Sequence, residues 1–322
     1  MKNFPWLQGY LDQWLELILS NKVPHAILLY GAKGLAKREL AQSMAHYAIC
    51  ENLSEKGVCN TCKGCHLFNS GNHTDVKTIT AEKQVIKVEQ IRNLTKDVVL
   101  SSTRNQHRII IIENAEKMNK ASANALLKTL EEPPTNVVII LTTSEIGYLL
   151  PTIKSRCFKV GIKTVDVQQL KKYLLDCNVG TIDEVNQAII LANYAPIVAK
   201  NIIENNTLTV IKSMLNDLNQ IAAGQKTVIE ISKQWIKNEQ TEYLFLIATY
   251  FLSTVKSNNG LDQNNSLLIL SNSDYSGLNN HNEKTLNFIR SIFKFMSRQR
   301  TALKIELLLE ELLIDWQNDF QN

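Results

Sequence analysis

Residues Leu28 to Ser43 read LLYGAKGLAKRELAQS: an apolar run that stops at a glycine, a short loop, and an apolar-periodic segment from Glu39 onward. Ala26 to Tyr30 is predicted to be a buried strand and the segment after the loop a helix. Strand, loop and helix in that order outline a phosphate-binding loop, G-x-x-x-x-G-K-[ST]. In that pattern glycine lets backbone N–H groups wrap the phosphates, lysine reaches the outer phosphates and the hydroxyl holds Mg²⁺. The frame here is Gly31, Ala36, Lys37 and Arg38. Gly31 and Lys37 stand where the pattern puts them. Ala36 adds a Cβ where backbone must approach phosphate, and Arg38 cannot ligate a metal cation, so magnesium-dependent hydrolysis is expected to be lost. An apolar strand closing on a glycine also fits any α/β protein, so the rest of the chain must decide.

A second stretch is altered in the same direction. Arg108 leads into Ile109 to Ile112, a β-branched run with nothing polar inside, as expected of a central parallel strand. It closes on Glu113 and Asn114. In P-loop ATPases the acid ending such a strand holds Mg²⁺ and the next acid polarises the attacking water. Glu113 is one methylene longer than the usual Asp and could still reach a metal, but Asn114 cannot accept a proton from water. A strand-end acid in an ordinary turn is the alternative. Asn119 then caps a helix over Lys120 to Glu131, with Ala123, Leu126, Leu127 and Leu130 on one face, and Pro133-Pro134 forbids its continuation. Val137 to Leu141 reads as a further buried strand running into Thr142-Thr143-Ser144, and in open α/β sheets ligands sit at that carboxyl edge. Leu149 to Ile153 is read as one more strand, with Ser155-Arg156-Cys157 after it.

Between these two stretches lies Cys59-Asn-Thr-Cys62-Lys-Gly-Cys65, preceded by Cys50 at the predicted end of the helix after the loop. Two-residue gaps let thiolates on a tight turn converge on one ion, and Cys50 can supply the fourth corner of a tetrahedron. A structural zinc site of Cys50, Cys59, Cys62 and Cys65 is therefore expected, closed to water and without catalysis. An iron–sulfur cluster competes, although no following Cys-Pro completes that pattern. Four free buried thiols are the remaining reading. His46, one turn before Cys50, and His66, beside Cys65, could substitute as ligands.

Six cysteines with four clustered point to metal ligands or redox groups in a reducing compartment rather than to a disulfide framework. The 322 residues suggest two or three domains. Lys and Arg number 35 against 31 Asp and Glu, which leaves no strong electrostatic footprint for nucleic acid. Any DNA contact is expected to be shared or weak. No signal peptide or membrane span is read, so the chain is expected to be cytoplasmic. Trp6 to Ile18 reads as an amphipathic packing helix, Val76 to Ile79 as a short strand and Ile86 to Arg92 as entry to a helix. Thr164 to about Asn205 reads as helical with Asp166 at its start. Helices near 208–222, 227–237 and 239–256 follow, then an Asn/Ser/Gly-rich loop, 258–282, with an apolar anchor at 267–270, and two helical patterns from Thr285 to Trp316.

The string Asn124-Ala-Leu-Leu-Lys-Thr-Leu-Glu-Glu-Pro-Pro134, followed by Ser155-Arg156-Cys157, closely resembles the bacterial DNA polymerase III clamp-loader subunits, and the cysteine module is shared by that group. The likeness covers residues 1 to about 205 by motif and the tail by helical pattern. It implies an α/β RecA-like AAA+ domain with a parallel sheet and an inserted zinc module (1–162, module at about 50–66). A small helical lid (163–205) and an all-helical collar (206–322) that joins a five-subunit ring would follow. The altered loop and acid pair match the branch of that family that lacks working motor motifs. Ser155-Arg156-Cys157 matches the family's arginine-finger motif, which implies that Arg156 faces ATP bound to an adjacent motor subunit. The guanidinium suits that role, since it is always charged and forks onto phosphate oxygens. The sensing arginine that active relatives carry in the lid is missing from Asn193 to Val198. Implied partners are the gamma/tau motor and delta subunits, with the sliding clamp and primer–template DNA reached through the complex. Gly31 and Lys37 are left as a vestigial phosphate loop. The competing readings are a motor subunit with degenerate but working motifs, leaning on Lys37 and Glu113, and a non-replicative nucleic-acid-binding zinc protein.

Overall fold

The computed structural model of the chain describes residues 4–99, 107–260, 282–298 and 304–320, and it divides into two compact units, Met1–Val165 and Asp166–Asn322. The first is built on a wholly parallel sheet of five strands: β1 (Ala26–Tyr30), β2 (Val76–Ile79), β3 (Arg108–Ile112), β4 (Val137–Thr143) and β5 (Phe158–Gly161), in the order β2-β3-β4-β1-β5. The four isoleucines of β3 are fully buried, which is what a central strand covered on both faces requires. β4 runs further than the apolar pattern alone suggests: Thr142 and Thr143 pair with Leu29 and Tyr30 of β1 and are buried. The carboxyl ends of β1, β3 and β4 therefore emerge side by side. Gly31 starts the loop there because no other residue fits, since a Cβ at this position would stand 2.6 Å from the carbonyl oxygen of Ile162.

Around the sheet lie α1 (Gln8–Leu19), α2 (Lys37–Ile49), α3 (Lys63–Asn69), α4 (Val88–Val99), α5 (Lys120–Glu131) and α6 (Pro151–Arg156). Trp14 of α1 is buried and donates its indole N–H to the carbonyl of Met44 in α2 at 2.8 Å, which fixes the amphipathic helix on the sheet's flank. Asn119 caps α5 as expected, its side chain accepting from the amide of Ser122 at 2.8 Å. Leu149 to Ile153 is not a strand. Pro151, with its fixed φ and absent N–H, starts α6. Leu149 and Ile153, four residues apart, both enter the core that holds Leu126 and Leu130 of α5. Leu149 does so from extended backbone just before the helix and Ile153 from within it.

The second unit is all helical among the described residues: α7 (Val167–Asp176), α8 (Ile182–Leu191), α9 (Pro196–Glu204), α10 (Thr207–Ala222), α11 (Val228–Lys237), α12 (Leu244–Asn258), α13 (Asn282–Arg298) and α14 (Ile305–Phe320). Asp166 caps α7 by accepting from the amides of Gln168 and Gln169, and Thr181–Glu184 and Thr227–Glu230 form capping boxes at α8 and α11. The expected break near 205 falls inside this unit, where α12 packs on α8 and α10 on α9. The Asn/Ser/Gly-rich segment with its anchor at 267–270 lies outside the described residues. In α14, Leu308, Leu309, Leu312 and Leu313 are buried whereas Leu307 and Ile314 are exposed, so its apolar residues form a wide stripe on one side.

The core of α10 to α14 gathers Trp235, Phe251, Phe288 and Trp316, with Trp316 lying 4.6 Å from Phe288 and 5.6 Å from Phe251 between ring centroids. One charge sits at its edge. Asp217 is almost fully buried and accepts from Lys226 Nζ at 3.2 Å, Gln234 Nε2 at 3.3 Å and Trp235 Nε1 at 3.0 Å, which ties α10 to α11. Asp217→Ala strands the buried indole N–H and the lysine, and is expected to cost about 2–4 kcal/mol. Asp217→Asn, which keeps one acceptor, should cost less. Chemical unfolding of the two variants checks this, and equal losses would mean that the neutral acceptor retains nothing and the carboxylate charge carries the interaction.

Candidate functional site

The loop from Gly31 to Ala36 connects β1 to α2 at the carboxyl edge of the sheet. Ala36 caps α2 with φ 63° and ψ 35°, the left-handed conformation that glycine takes in the phosphate-loop pattern. For a residue with a Cβ that conformation costs roughly 1–2 kcal/mol. The shape of the loop is therefore kept although the residue that favours it has gone. Lys37 does not point outward. Its ammonium donates to the carbonyls of Gly31 at 2.9 Å and Ala32 at 2.7 Å and to Ser144 Oγ at 3.0 Å. Burial lowers its pKa to about 8, with Glu116 and Glu39 pulling the other way.

Next to it, Arg38 Nε stands 2.9 Å from Glu113 Oε1, a charge contact without the alignment of a hydrogen bond. Glu113 is nearly buried, and that burial raises its pKa while Arg38 opposes the shift. Asn114, in the left-handed region, donates its backbone N–H to Thr142 Oγ1 at 3.1 Å. Thr143 Oγ1 accepts from the amide of Glu145, and Ser144 donates its amide to Glu116 Oε1. The hydroxyls that mark this edge as a ligand site thus serve internal bonds. Gly31, Lys37, Arg38, Glu113 and Asn114 come together as the sequence suggests; the parts played by Ser144 and Glu116 were not anticipated. No spacing rule links Lys37 to residue 144, and only the β1–β4 register joins them.

The four cysteines also converge. Their sulfurs lie within 4.8 Å of one another, with Cys50 and Cys59 3.6 Å apart and Cys59 and Cys65 3.9 Å apart. A tetrahedral ion with bonds of about 2.3 Å sets its sulfurs about 3.8 Å apart, so the quartet fits one ion. Backbone amides of Cys59, Cys62 and Cys65 donate to the sulfurs of Cys50, Cys59 and Cys62 at 3.3–3.4 Å, as suits thiolates. The amides of Thr61 and Cys62 bring Cys59 down to about 6, while burial pushes Cys50 and Cys65 up. His46 is not part of the set. Its ring is buried and stacks on Phe68 with centroids 4.5 Å apart; both nitrogens lack hydrogen-bond partners and burial lowers its pKa to about 4. His66 is exposed. The quartet gathers α2, whose last turn ends at Cys50, and α3, which Cys62 caps.

Arg156 shares none of these contacts. As the last residue of α6 it donates from Nη1 to the carbonyl of Thr152 at 3.0 Å, and its Nη2 lies 2.6 Å from Glu131 Oε1 at the end of α5. Ser155 is exposed, whereas Cys157 is buried in the core with its thiol raised to about 11, as a packing residue would be. At the start of α9 the first turn is Pro196, Ile197 and Val198, so no arginine projects from it.

The family described as DNA polymerase III, delta subunit matches residues 7–166. DNA polymerase III subunit delta′ of Buchnera aphidicola from Schizaphis graminum is 27% identical over 98% of both chains. The chain belongs to the delta-prime family of DNA polymerase III. The delta-prime subunit of Pseudomonas aeruginosa is 39% identical, but that match spans only 48% of this chain and 47% of the relative. The tau subunit of Salmonella typhimurium is 33% identical over 48% of this chain and 24% of its own. Among solved structures, a gamma subunit-related protein from Thermotoga maritima superposes with a TM-score of 0.50 at 21% identity, covering 98% of this chain and 99% of that one, and so shares the fold. Together with the parallel sheet and its helices, this agrees with the AAA+ architecture that the clamp-loader resemblance implies for delta-prime. No helix among the described residues is long and apolar enough to cross a membrane.

Proposed function

We propose that this chain is a non-hydrolysing stator of the DNA polymerase III clamp loader, which lends an arginine finger to a neighbouring ATPase while the sliding clamp is loaded onto primed DNA. The observation that carries the reading is the Arg38–Glu113 contact. In this fold the hydroxyl after the loop lysine and the acid ending the third strand hold Mg²⁺ between them. Here one of these is a cation already set against the other, so a metal would have to displace a tethered guanidinium. Lys37, the group meant for the outer phosphates, is tied to the carbonyls of its own loop. Glu39 and Glu116 act on Lys37, and Glu113 on Arg38, so carboxylates offset the two cations that would draw a polyphosphate. Asn114 offers no base for water.

What the chain gives in exchange is Arg156, at a helix end on the surface with charge and fork intact. The partners on this reading are gamma/tau motor and delta subunits in a hetero-pentamer, with clamp and primer–template DNA engaged by the complex in the cytoplasm. Residues 163–205 act as the lid and 206–322 as the collar. The cysteine quartet takes Zn²⁺, which closes the module at about 50–66 and supplies no chemistry.

The retained Gly31, Lys37 and Glu113 favour a second reading, an active gamma/tau-like motor. Calorimetric titration with ATP separates the two. The stator reading expects no tight binding whether or not Mg²⁺ is present, and tight, magnesium-dependent binding would establish the motor instead. Clamp loading by motor and delta subunits, assayed with and without this chain, tests the assembly. Equal loading in both cases would remove the chain from the machine.

A further inference from the structure

We infer that Glu131 is the positioning residue of the arginine finger: it fixes the guanidinium of Arg156 while leaving it donors for a neighbour's phosphate. This rests on the finger reading proposed above and adds to it a residue of the leucine-rich LEEPP stretch that had carried no role.

Glu131 is an acid in the last turn of α5, where the helix dipole disfavours negative charge, and Glu132 follows it. Local helix stability therefore gives no reason for a carboxylate there. Across from it, Arg156 ends α6, and the two meet at 2.6 Å. Both helix ends are rigidly founded. Leu126 and Leu130 of α5 share one core with Ile153 of α6 and with Cys157, the residue after the finger, and Pro133-Pro134 prevents α5 from fraying onward. The two contacts of Arg156, Nη2 to Glu131 and Nη1 to the carbonyl of Thr152, hold the guanidinium plane from two directions. A guanidinium has five N–H donors, so three stay available for phosphate oxygens. Its side chain remains one-third exposed, and that of Glu131 half exposed, so an incoming anion can reach the pair.

A finger on a flexible side chain would sample many rotamers, and fixing it beforehand removes that cost from the transition state. Being solvent-exposed, the ion pair adds little to the stability of the fold. Its effect should therefore be visible in turnover and invisible in unfolding.

The test is a mutant cycle in the reconstituted complex, reading pre-steady-state ATP hydrolysis at the motor site next to this chain, with thermal unfolding of each variant and ring assembly as controls. Glu131→Ala is expected to slow hydrolysis at that site by about tenfold with its ATP affinity nearly unchanged. Glu131→Gln, which keeps an acceptor, should recover part of that loss. In an Arg156→Ala background, Glu131→Ala should change nothing further, because its action passes through the arginine. If Arg156→Ala reduces turnover but Glu131→Ala leaves it unchanged, raises it or adds an independent loss, the positioning role is overturned and the finger stands. If Arg156→Ala itself has no effect, the finger reading fails first.

Discussion

Arg156→Ala should leave the chain folded and able to assemble, and should depress ATP turnover at the one motor site it abuts by about 10³-fold or more, the range over which arginine fingers act. Folding should be spared because the side chain belongs to no core and its two contacts lie on the surface, whereas Ile153 and Cys157 on either side hold the segment in place. Arg156→Lys keeps the charge but loses the fork, and should rescue little. The measurement is pre-steady-state hydrolysis by the reconstituted complex with clamp and primed DNA, which resolves a single slow site among faster ones. Turnover equal to that of the unmodified complex at every site would leave this chain without a catalytic contribution.

The second large effect is metal removal. A closed four-thiolate site links folding to metal binding, because the ligands must gather and lose their protons only when the ion is present. Cys50 terminates α2 and Cys62 begins α3, so without the ion four sulfurs crowded within 4.8 Å have nothing to hold them together. The loss should be limited to this module, since the sheet core is separate from the cysteine cluster. We expect a strong chelator to lower the melting temperature by about 5–15 °C, and Cys50→Ser or Cys65→Ser to do the same without chelator. ATP turnover by neighbouring subunits should not change below the new transition. Elemental analysis should return one zinc per chain. Native protein without metal, or a coloured protein containing iron and sulfide, would refute the assignment.

Much of the first unit could be read from the chain because its elements carry local patterns. The isoleucine run of β3, the Asn119 cap and the two-residue cysteine gaps each determine their own structure within a few residues. The second unit was legible as helices for the same reason, but where its helices associate depends on contacts such as Asp217 with Trp235 that no periodicity encodes. The segment Leu149 to Ile153 was misread because five apolar-rich residues fit either period, and the decisive signal was Pro151, which sits at the first position of α6 while Leu149 stays extended before it. At the loop, the sequence showed which groups were missing. It did not show that Lys37 folds back onto the carbonyls of its own loop, which is a choice of side-chain rotamer that no spacing rule fixes, or that Arg38 meets Glu113, which depends on a strand brought in from more than 70 residues away.

The left-handed Ala36 and the guanidinium beside Glu113 together give the site a property that a working nucleotide pocket lacks. A dissociable ion exchanges with the cell, so its occupancy follows free magnesium and the ratio of triphosphate to diphosphate. A countercharge built into the backbone's own side chain has no such dependence: its local concentration is set by the covalent chain and stays the same whether the cell is starved or fed. On the stator reading proposed above, the face this loop supports would be insulated from metabolic fluctuation, and a machine whose other members change shape with each turnover would have in it one component of constant geometry.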